Sequence, residues 1–516
     1  KGEIKGTFIN AIDRLDEIKA LGINTLHVLP IQPPTKVKAK GLAGCVYAPD
    51  SYTEIDPALD DPNDPRDVKE EAKEFVKEAH KRGIRVIIDL PSCASTTFEK
   101  NNPHLIAYDE NGNPKVPQGW DDILAFKVWE DEDKRIINKP LLDMHKQFID
   151  MIQDIGADGV RADVARYKPP EFWQELIGYS RNKDPEFGWL AETYTYEDAS
   201  PMANIPADRP ETLLHSGFDI IYGQYHLFPH WTKADQMHGY VKDMVDMSHR
   251  LPPNKGLIAS FATHDDKAAF SNGGVPYCNM TTGIQATLPM VNPYFISGFE
   301  SGDRYIYPYR NQPQRKTETD SNIAFAHPEW IDIFNNSRKP GGEHPEIGDF
   351  MGKMFNVRKQ HEDVITKGSY IPLKVRNNDT GKIIAYARHY KGKTLLAIAN
   401  RDVNGRETGI VEVPGLKKSQ VLKDLAPPYS DKSSIRVGNN AVAVNLGTAR
   451  FHLFEIDTPH IERDAKEVYR PNQRFTDNKS SSASVGLNDK SANNTTGSNV
   501  FNFYRNASAK KLDKKA

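Results

Sequence analysis

Three times in the first part of the chain, an amphipathic helical pattern ends at a glycine and an apolar strand pattern follows at once. Phe8, Ala11, Ile12, Leu15 and Ile18 form one helical stripe, Gly22 stops it, and residues 23–29 read as a buried strand. Val68, Ala72, Phe75, Val76 and Ala79 repeat the spacing, Gly83 follows, and residues 84–90 are strand-like. Leu141, Met144, Phe148, Ile152 and Ile155 lead to Gly156 and a strand at residues 158–163. Glycine just past a helix supplies the left-handed conformation that ends it. Repeated helix–glycine–strand units cannot make an antiparallel sheet with tight hairpins. They demand a parallel sheet with crossover helices.

Further strands are expected at residues 188–193, 218–222, 257–263 and 294–298, before a helix at 351–361. The alternation yields seven strands. An eight-stranded α/β barrel, the (β/α)₈ or TIM fold, needs one more. The first strand is expected to be absent from the chain, because its opening pattern is already the helix that leads into a strand. The 516 residues suit one such barrel plus smaller modules. The barrel is assigned to residues 1–369, with a Pro-, Asn- and Gly-rich insertion at 91–139. An insertion there follows a strand and so lies on the face where barrel loops build sites. Residues 370–457 show short strands and turns and predict a C-terminal antiparallel, sandwich-like β domain. Residues 458–516 are rich in Ser, Asn and Lys and predict a disordered polar tail.

Composition removes several classes. The formal net charge is -3, with Lys and Arg spread along the chain, which argues against a nucleic-acid surface. The terminal run of Lys510, Lys511, Lys514 and Lys515 reads as a solvated end. No apolar run nears the ~20 residues of a membrane span. Cys45, Cys93 and Cys278 are too few and too scattered for a disulfide framework, which suits a reducing, cytoplasmic setting. No Cys-x-x-Cys metal pattern is present, and no metal and no cofactor are expected.

Chemistry concentrates at strand ends. Asp163 ends Gly159-Val160-Arg161-Ala162-Asp163, Glu192 ends Trp189-Leu190-Ala191-Glu192, and Asp265 follows Thr263-His264. Barrel strand ends converge on one face, so these three acids are expected to meet. A lone acid at a strand end is usually a helix cap or a loop ion pair. Three together, with Arg161 two residues before Asp163 on the same strand face, point to a pair of carboxyls for glycosidic cleavage. His264 could donate to sugar hydroxyls. Asp89 either orders Arg161 or binds sugar. Trp120 and Trp129 either stack on sugar or pack, and Cys93 reads as a packed residue rather than a nucleophile.

These residues, from about Gly6 to Ile456, resemble the α-amylase superfamily, glycoside hydrolase family thirteen. Gly159-Val160-Arg161-Ala162-Asp163 resembles its nucleophile motif and Leu190-Ala191-Glu192 its acid/base motif. Thr263-His264-Asp265 resembles the motif whose aspartate stabilises the transition state, although Asp266 leaves a one-residue ambiguity. Val86-Ile87-Ile88-Asp89 resembles the first family motif, and Tyr47-Ala48-Pro49-Asp50-Ser51-Tyr52 the segment that carries a sugar-stacking ring. The resemblance implies Asp163 as nucleophile, Glu192 as acid/base and Asp265 as transition-state stabiliser. It places Tyr47, Asp89, Arg161, Lys168 and His264 on the substrate.

The chain departs from the family where Cys93 and Ala94 stand in place of the usual Asn-His, the pair that commonly binds calcium and a sugar hydroxyl. Residues 163–169 with Phe172-Trp173, and Ile296-Ser297-Gly298-Phe299-Glu300, are similar to the maltosyltransferases that use maltose 1-phosphate. Val164 departs from that subgroup's polar residue. The implied function is a retaining hydrolase or transglycosylase on α-1,4-linked glucose units, with α-glucan or maltooligosaccharide as partner. The alternatives are maltosyl transfer from maltose 1-phosphate, with phosphate as a further ligand, or a catalytically silent glucan-binding relative.

Overall fold

The computed structural model describes residues 6–38, 45–117, 122–193, 210–259, 261–266, 268–303, 343–429 and 433–472. The three glycines that stop the helical stripes do so with left-handed backbone, at φ of 84° for Gly22, 68° for Gly83 and 90° for Gly156. The first stripe is broken into Phe8–Ile12 and Leu15–Ala20, and the other two are the helices Val68–Lys81 and Lys139–Asp154. Asp67 and Asn138 start the longer helices by accepting from the N–H groups of Glu70 and Leu141.

Strands β1 (Thr25–Val28) and β2 (Arg85–Leu90) follow the first two helical segments. A small hairpin, β3 (Trp129–Asp131) and β4 (Ile136–Ile137), lies in the insertion after β2. Next come β5 (Gly159–Ala162), β6 (Gly188–Ala191), β7 (Ile220–Tyr222), β8 (Gly256–Ala259) and β9 (Val291–Pro293). Apart from the hairpin, these strands form one sheet of seven in the order β1-β2-β5-β6-β7-β8-β9, all pairs parallel. This is the barrel fold with seven of its strands among the described residues. The last strand lies earlier than the expected 294–298. Its place is set by pairing of Leu257 with Val291, and the aromatic run that looked like strand is the connection beyond it.

The two outer strands, β1 and β9, are drawn together. The His27 imidazole on β1 and the Tyr294 hydroxyl just after β9 are 3.0 Å apart. Outside the sheet, Arg14 pairs with Glu300 at 3.1 Å. In the helix Pro345–Gln360, Gly352 lets the backbone approach Ala20, where a Cβ would lie 2.8 Å from the Ala20 carbonyl. The sheet therefore curls, and its helical layer meets across the seam.

The C-terminal domain is a sandwich of two four-stranded sheets. One is β10 (Ser369–Pro372), β12 (Ile383–Tyr390), β13 (Lys393–Asn400) and β17 (Phe451–Ile456). The other is β11 (Val375–Arg376), β14 (Glu407–Glu412), β16 (Ala441–Leu446) and β15 (Ser434–Gly438). β12 and β13 read as continuous apolar runs because both faces are covered. Leu396 and Ile398 face the sandwich core, while Leu395, Ala397 and Ala399 join the barrel core. The barrel helix Gly274–Thr287 packs on that second face, where Phe451 takes the space that a side chain at Gly283 would need.

The chain departs from the expected tail between 458 and 472. Ile461 is fully buried in the sandwich core, Tyr469 bridges to Tyr370, and the Asn472 N–H donates to the Ser248 hydroxyl at 2.9 Å. A few apolar and amide anchors suffice to dock a polar segment whose composition suggested disorder. Residues 473–516, with the lysine run, lie outside the described residues, as does Trp120. No described helix is long and apolar enough to cross a membrane.

Candidate active site

The sheet's hydrogen bonding continues one residue past the strands and fixes two of the acids. The Asp163 N–H donates to the Leu90 carbonyl at 3.0 Å, and the Glu192 N–H to the Ala162 carbonyl at 3.0 Å. Asp89 and Arg161 sit opposite each other in the β2–β5 register, so both side chains enter the barrel mouth. Arg161 is completely buried. Its Nη1 donates to Asp89 Oδ1 at 3.0 Å and to Asp163 Oδ1 at 2.9 Å. Its Nη2 lies 2.9 Å from Glu192 Oε2, and its Nε donates to the Tyr222 hydroxyl at 3.1 Å. One guanidinium thus touches three carboxylates from three neighbouring strand ends and brings Asp163 and Glu192 into one cleft.

A second arc of contacts surrounds Asp89. Its Oδ2 accepts from the Tyr47 hydroxyl at 2.7 Å and faces His27 Nε2 at 3.0 Å. The Tyr47 oxygen also meets His264 Nε2 at 2.9 Å, and the two rings stack 5.5 Å apart. Burial, helped by the Arg161 charge, pulls His264 down to about 3. His264 is therefore neutral and donates through Nε2, since the Tyr47 proton is already given to Asp89. Asp265 follows, with Oδ2 3.7 Å from His264 Nε2 and its side chain about a third exposed. Asp266 turns the other way. Its Oδ2 accepts from the Thr263 N–H and hydroxyl at 3.0 and 3.1 Å. Geometry therefore separates the two adjacent acids and leaves Asp265 beside the network.

The charges are arranged to oppose burial. Burial would push the Asp89 carboxyl up, but Arg161, His27 and Tyr47 hold it below the usual carboxylate range. Burial pushes Asp163 up, the Arg161 guanidinium pulls against this, and the charges of Glu192 and Asp89 push up again, with a net rise.

Sequence reasoning missed several members of this network. His27, Tyr222 and Tyr294 line the barrel mouth, and the one signal available was a polar or hydroxylated side chain within an apolar strand run. Ser92 was also missed. Its N–H donates to Asp163 Oδ2 at 3.2 Å and its hydroxyl to the Asp163 carbonyl. Val164 holds a left-handed backbone, φ 33° and ψ 60°, unusual for a β-branched residue. That conformation aims its N–H at Glu192 Oε2, 2.8 Å away.

Lys168 is not placed as a sugar ligand would be. It is buried, its ammonium donates to the Ser92 carbonyl at 3.2 Å, and it lies over the rings of Phe126, Phe172 and Trp173. Its amine supports the segment that supports Asp163. Trp129 is buried under Arg135, so it packs. Cys93 is buried with Cys45 and Ile123, and burial pushes its thiol up.

Comparison with known proteins extends this likeness along the chain. No family model matches. The cyclomaltodextrinase of Thermoanaerobacter pseudethanolicus is 22% identical over 448 residues, which cover 82% of this chain and 68% of that protein. The α-1,4-glucan:maltose-1-phosphate maltosyltransferase 2 of Streptomyces coelicolor is 22% identical over 485 residues, covering 88% and 65%. The α-amylase 2 of Dictyoglomus thermophilum is 24% identical over 413 residues, covering 78% and 65%. The chain thus spans about two thirds of the length of these relatives. Among solved structures, a maltogenic α-amylase from Thermotoga neapolitana superposes with a TM-score of 0.63 at 22% identity, covering 89% of this chain and 96% of that one. An α-amylase from Lactobacillus plantarum gives 0.62 at 18% identity, covering 87% and 94%. The fold is the one that these solved amylases share, and the likeness to the curated relatives runs over most of the chain.

Proposed function

We propose that this chain is an α-amylase-type enzyme that cleaves or transfers α-1,4-linked glucose units through a covalent glycosyl-enzyme. The observation that carries the reading is the single Arg161 guanidinium shared by Asp163 and Glu192 at adjacent strand ends. In this reading the Asp163 carboxylate attacks the anomeric carbon as the glycosidic bond breaks. Glu192, held through Oε2 by Val164 and Arg161, delivers its proton to the leaving oxygen. Water or a sugar hydroxyl then gives up a proton to Glu192 and attacks the same carbon, which frees Asp163 with net retention. Asp265 supports the positive charge that develops on the sugar. Tyr47, Asp89 and His264 form a hydrogen-bonded wall against which its hydroxyls rest.

Maltosyl transfer from maltose 1-phosphate is the second reading. It is favoured by the similarity over 485 residues to a maltosyltransferase. A turnover assay with maltooligosaccharides, with and without phosphate, tests both. Shorter or redistributed glucans without phosphate support the first reading, and turnover only with maltose 1-phosphate or phosphate supports the second. No turnover in either arm, with the chain folded, would leave a glucan-binding relative.

A further inference from the structure

A cavity of about 470 Å³ lies where the barrel meets the β domain. That volume is within the range of small-ligand pockets, about 300–1,000 Å³. Its barrel side comes from the segments after β7 and β8, and its other side from Lys382 and residues 401–404 of the β domain. None of the residues that contact Arg161 lines it. Asp266, which lines it, is held by Thr263, whereas the adjacent Asp265 lies beside His264 at the edge of the cleft.

The lining carries hydrogen-bonding capacity that the protein does not use. Tyr277 is 2% exposed, and its hydroxyl reaches the cavity wall beside Asn272. Arg401 donates from Nη2 to the Phe228 carbonyl at 3.1 Å, while its Nε has no partner. A buried guanidinium N–H left without an acceptor costs about 1–3 kcal/mol, which a ligand oxygen in the cavity would offset. The aromatic walls are Phe228, Phe261 and Tyr277.

The charges say which guest. Lys382 is already paired with Asp402 at 2.6 Å. The Asp266 carboxylate shares the cavity with His226, His230 and Arg401. An anion would meet two carboxylates there and find one lysine neutralised. A neutral polyol can accept from Arg401 and Tyr277, donate to Asp266 or Asp402, and lay its apolar ring face on the aromatic wall. Burial pushes Asp266 up and pulls both His226 and Arg401 down, so the surroundings disfavour added charge.

We propose that this cavity is a second carbohydrate site, separate from the catalytic cleft, that takes one or two neutral glucose units of an α-glucan chain. The choice of glucose rests on the proposed function. Its role is to hold a second segment of a long substrate next to the cleft, on the same face of the barrel.

The test is calorimetric titration of the full chain carrying Asp163→Asn with maltotriose. Two binding events are expected. Arg401→Gln and the isosteric Tyr277→Phe should each weaken one event at least tenfold and shift the other less than twofold. Hydrogen exchange in residues 224–231 and 401–405 should slow with maltotriose and lose that response in both variants. Inorganic phosphate should neither bind there nor compete. A single event that neither variant alters overturns the proposal, as does phosphate binding abolished by Arg401→Gln. Turnover by the wild-type chain with a single event in the titration sinks only the second site. Maltotriose binding at 401–405 without turnover by the wild-type chain sinks only the proposed reaction.

Discussion

Two arginines, Arg161 and Arg388, are both completely buried, yet they are satisfied in opposite ways. Arg161, in the barrel mouth, is surrounded by the carboxylates of Asp89, Asp163 and Glu192. Arg388, on β12, donates instead to three backbone carbonyls, those of Thr287, Gly368 and Ser369, at 2.6, 2.7 and 3.1 Å. Carboxylates raise the Arg161 guanidinium well above its usual range despite burial, while burial with only neutral partners pulls Arg388 down to about 9. The scaffold spends backbone dipoles on its cation and stays chemically inert. The cleft collects titratable anions around its cation, which is costly unless the anions have work to do.

The sharpest test of that difference is the removal of one anion's chemistry. Asp163→Asn should lower turnover with every substrate by roughly 10⁴-fold or more, because no group remains to form the glycosyl-enzyme. Glu192→Gln should lose about 10²–10⁴-fold with sugar leaving groups. It should lose far less with a glycosyl fluoride, which leaves without a proton. Mass spectrometry of the quenched reaction should find the label on Asp163. A label elsewhere, or equal losses in both variants with the fluoride, would show that the roles are wrongly assigned.

The next test sets the two arginines side by side. Arg388→Met strands three buried carbonyls at about 1–3 kcal/mol each, so a loss of roughly 3–9 kcal/mol is expected. Carbonyls do not titrate, so that loss should be the same at pH 5 and pH 8. Arg161→Met leaves carboxylates without their cation, a comparable loss at pH 8. At pH 5 part of it should return, because Asp89 and Asp163 can neutralise themselves by taking protons. Urea unfolding of both variants at the two pH values measures this. Equal pH dependence would erase the distinction between the two sites.

The same contrast explains what was legible in the sequence. Helix stripes, stopping glycines and apolar strands follow local rules, so six of the seven sheet strands fall within two residues of their expected start. β9 was displaced because its register is set by β8, a partner distant in the chain. Asp163 and Glu192 were legible because they end strands. Ser92, Tyr222 and Tyr294 were not, because each becomes part of the site only when remote strands converge. Lys168 drew attention by its nearness to Asp163, but its direction depends on an aromatic cage built from Phe126, Phe172 and Trp173.

Lys168 provides a pH test of intermediate size. Burial pulls its amine down to about 8, with Cys93 and Asp163 as the ionisable neighbours that pull it back up. In the unfolded chain the amine loses its proton near 10.4. Between these values the unfolded chain binds more protons, so stability should rise with pH across that window. The penalty of a buried ammonium is fully present below about pH 8 and is removed above the unfolded value. The stability difference between the wild-type chain and Lys168→Met should therefore shift in favour of the wild type by roughly 3 kcal/mol across the window. A flat difference between pH 7 and pH 10.5 would mean that the amine is not desolvated.

The smallest expected effect concerns Val164, where the cleft stores strain rather than charge. An L-residue in the left-handed region costs about 1–2 kcal/mol, and Val164 sits there at φ 33°. The geometry is retained where the Val164 N–H meets Glu192 Oε2 at 2.8 Å and the residue follows directly on Asp163. Glycine would remove the steric cost but add freedom to the unfolded chain, so Val164→Gly should stabilise by at most about 1 kcal/mol, or a few degrees in Tm. The same freedom lets the N–H leave Glu192, so kcat should fall several-fold while Tm rises. Val164→Ala keeps the strain and the N–H direction, so it should follow the wild type in kcat. A Tm that falls in the glycine variant would show that the valine side chain contributes more by packing than its backbone costs. Equal kcat in all three chains would show that the strained peptide does not set the position of Glu192.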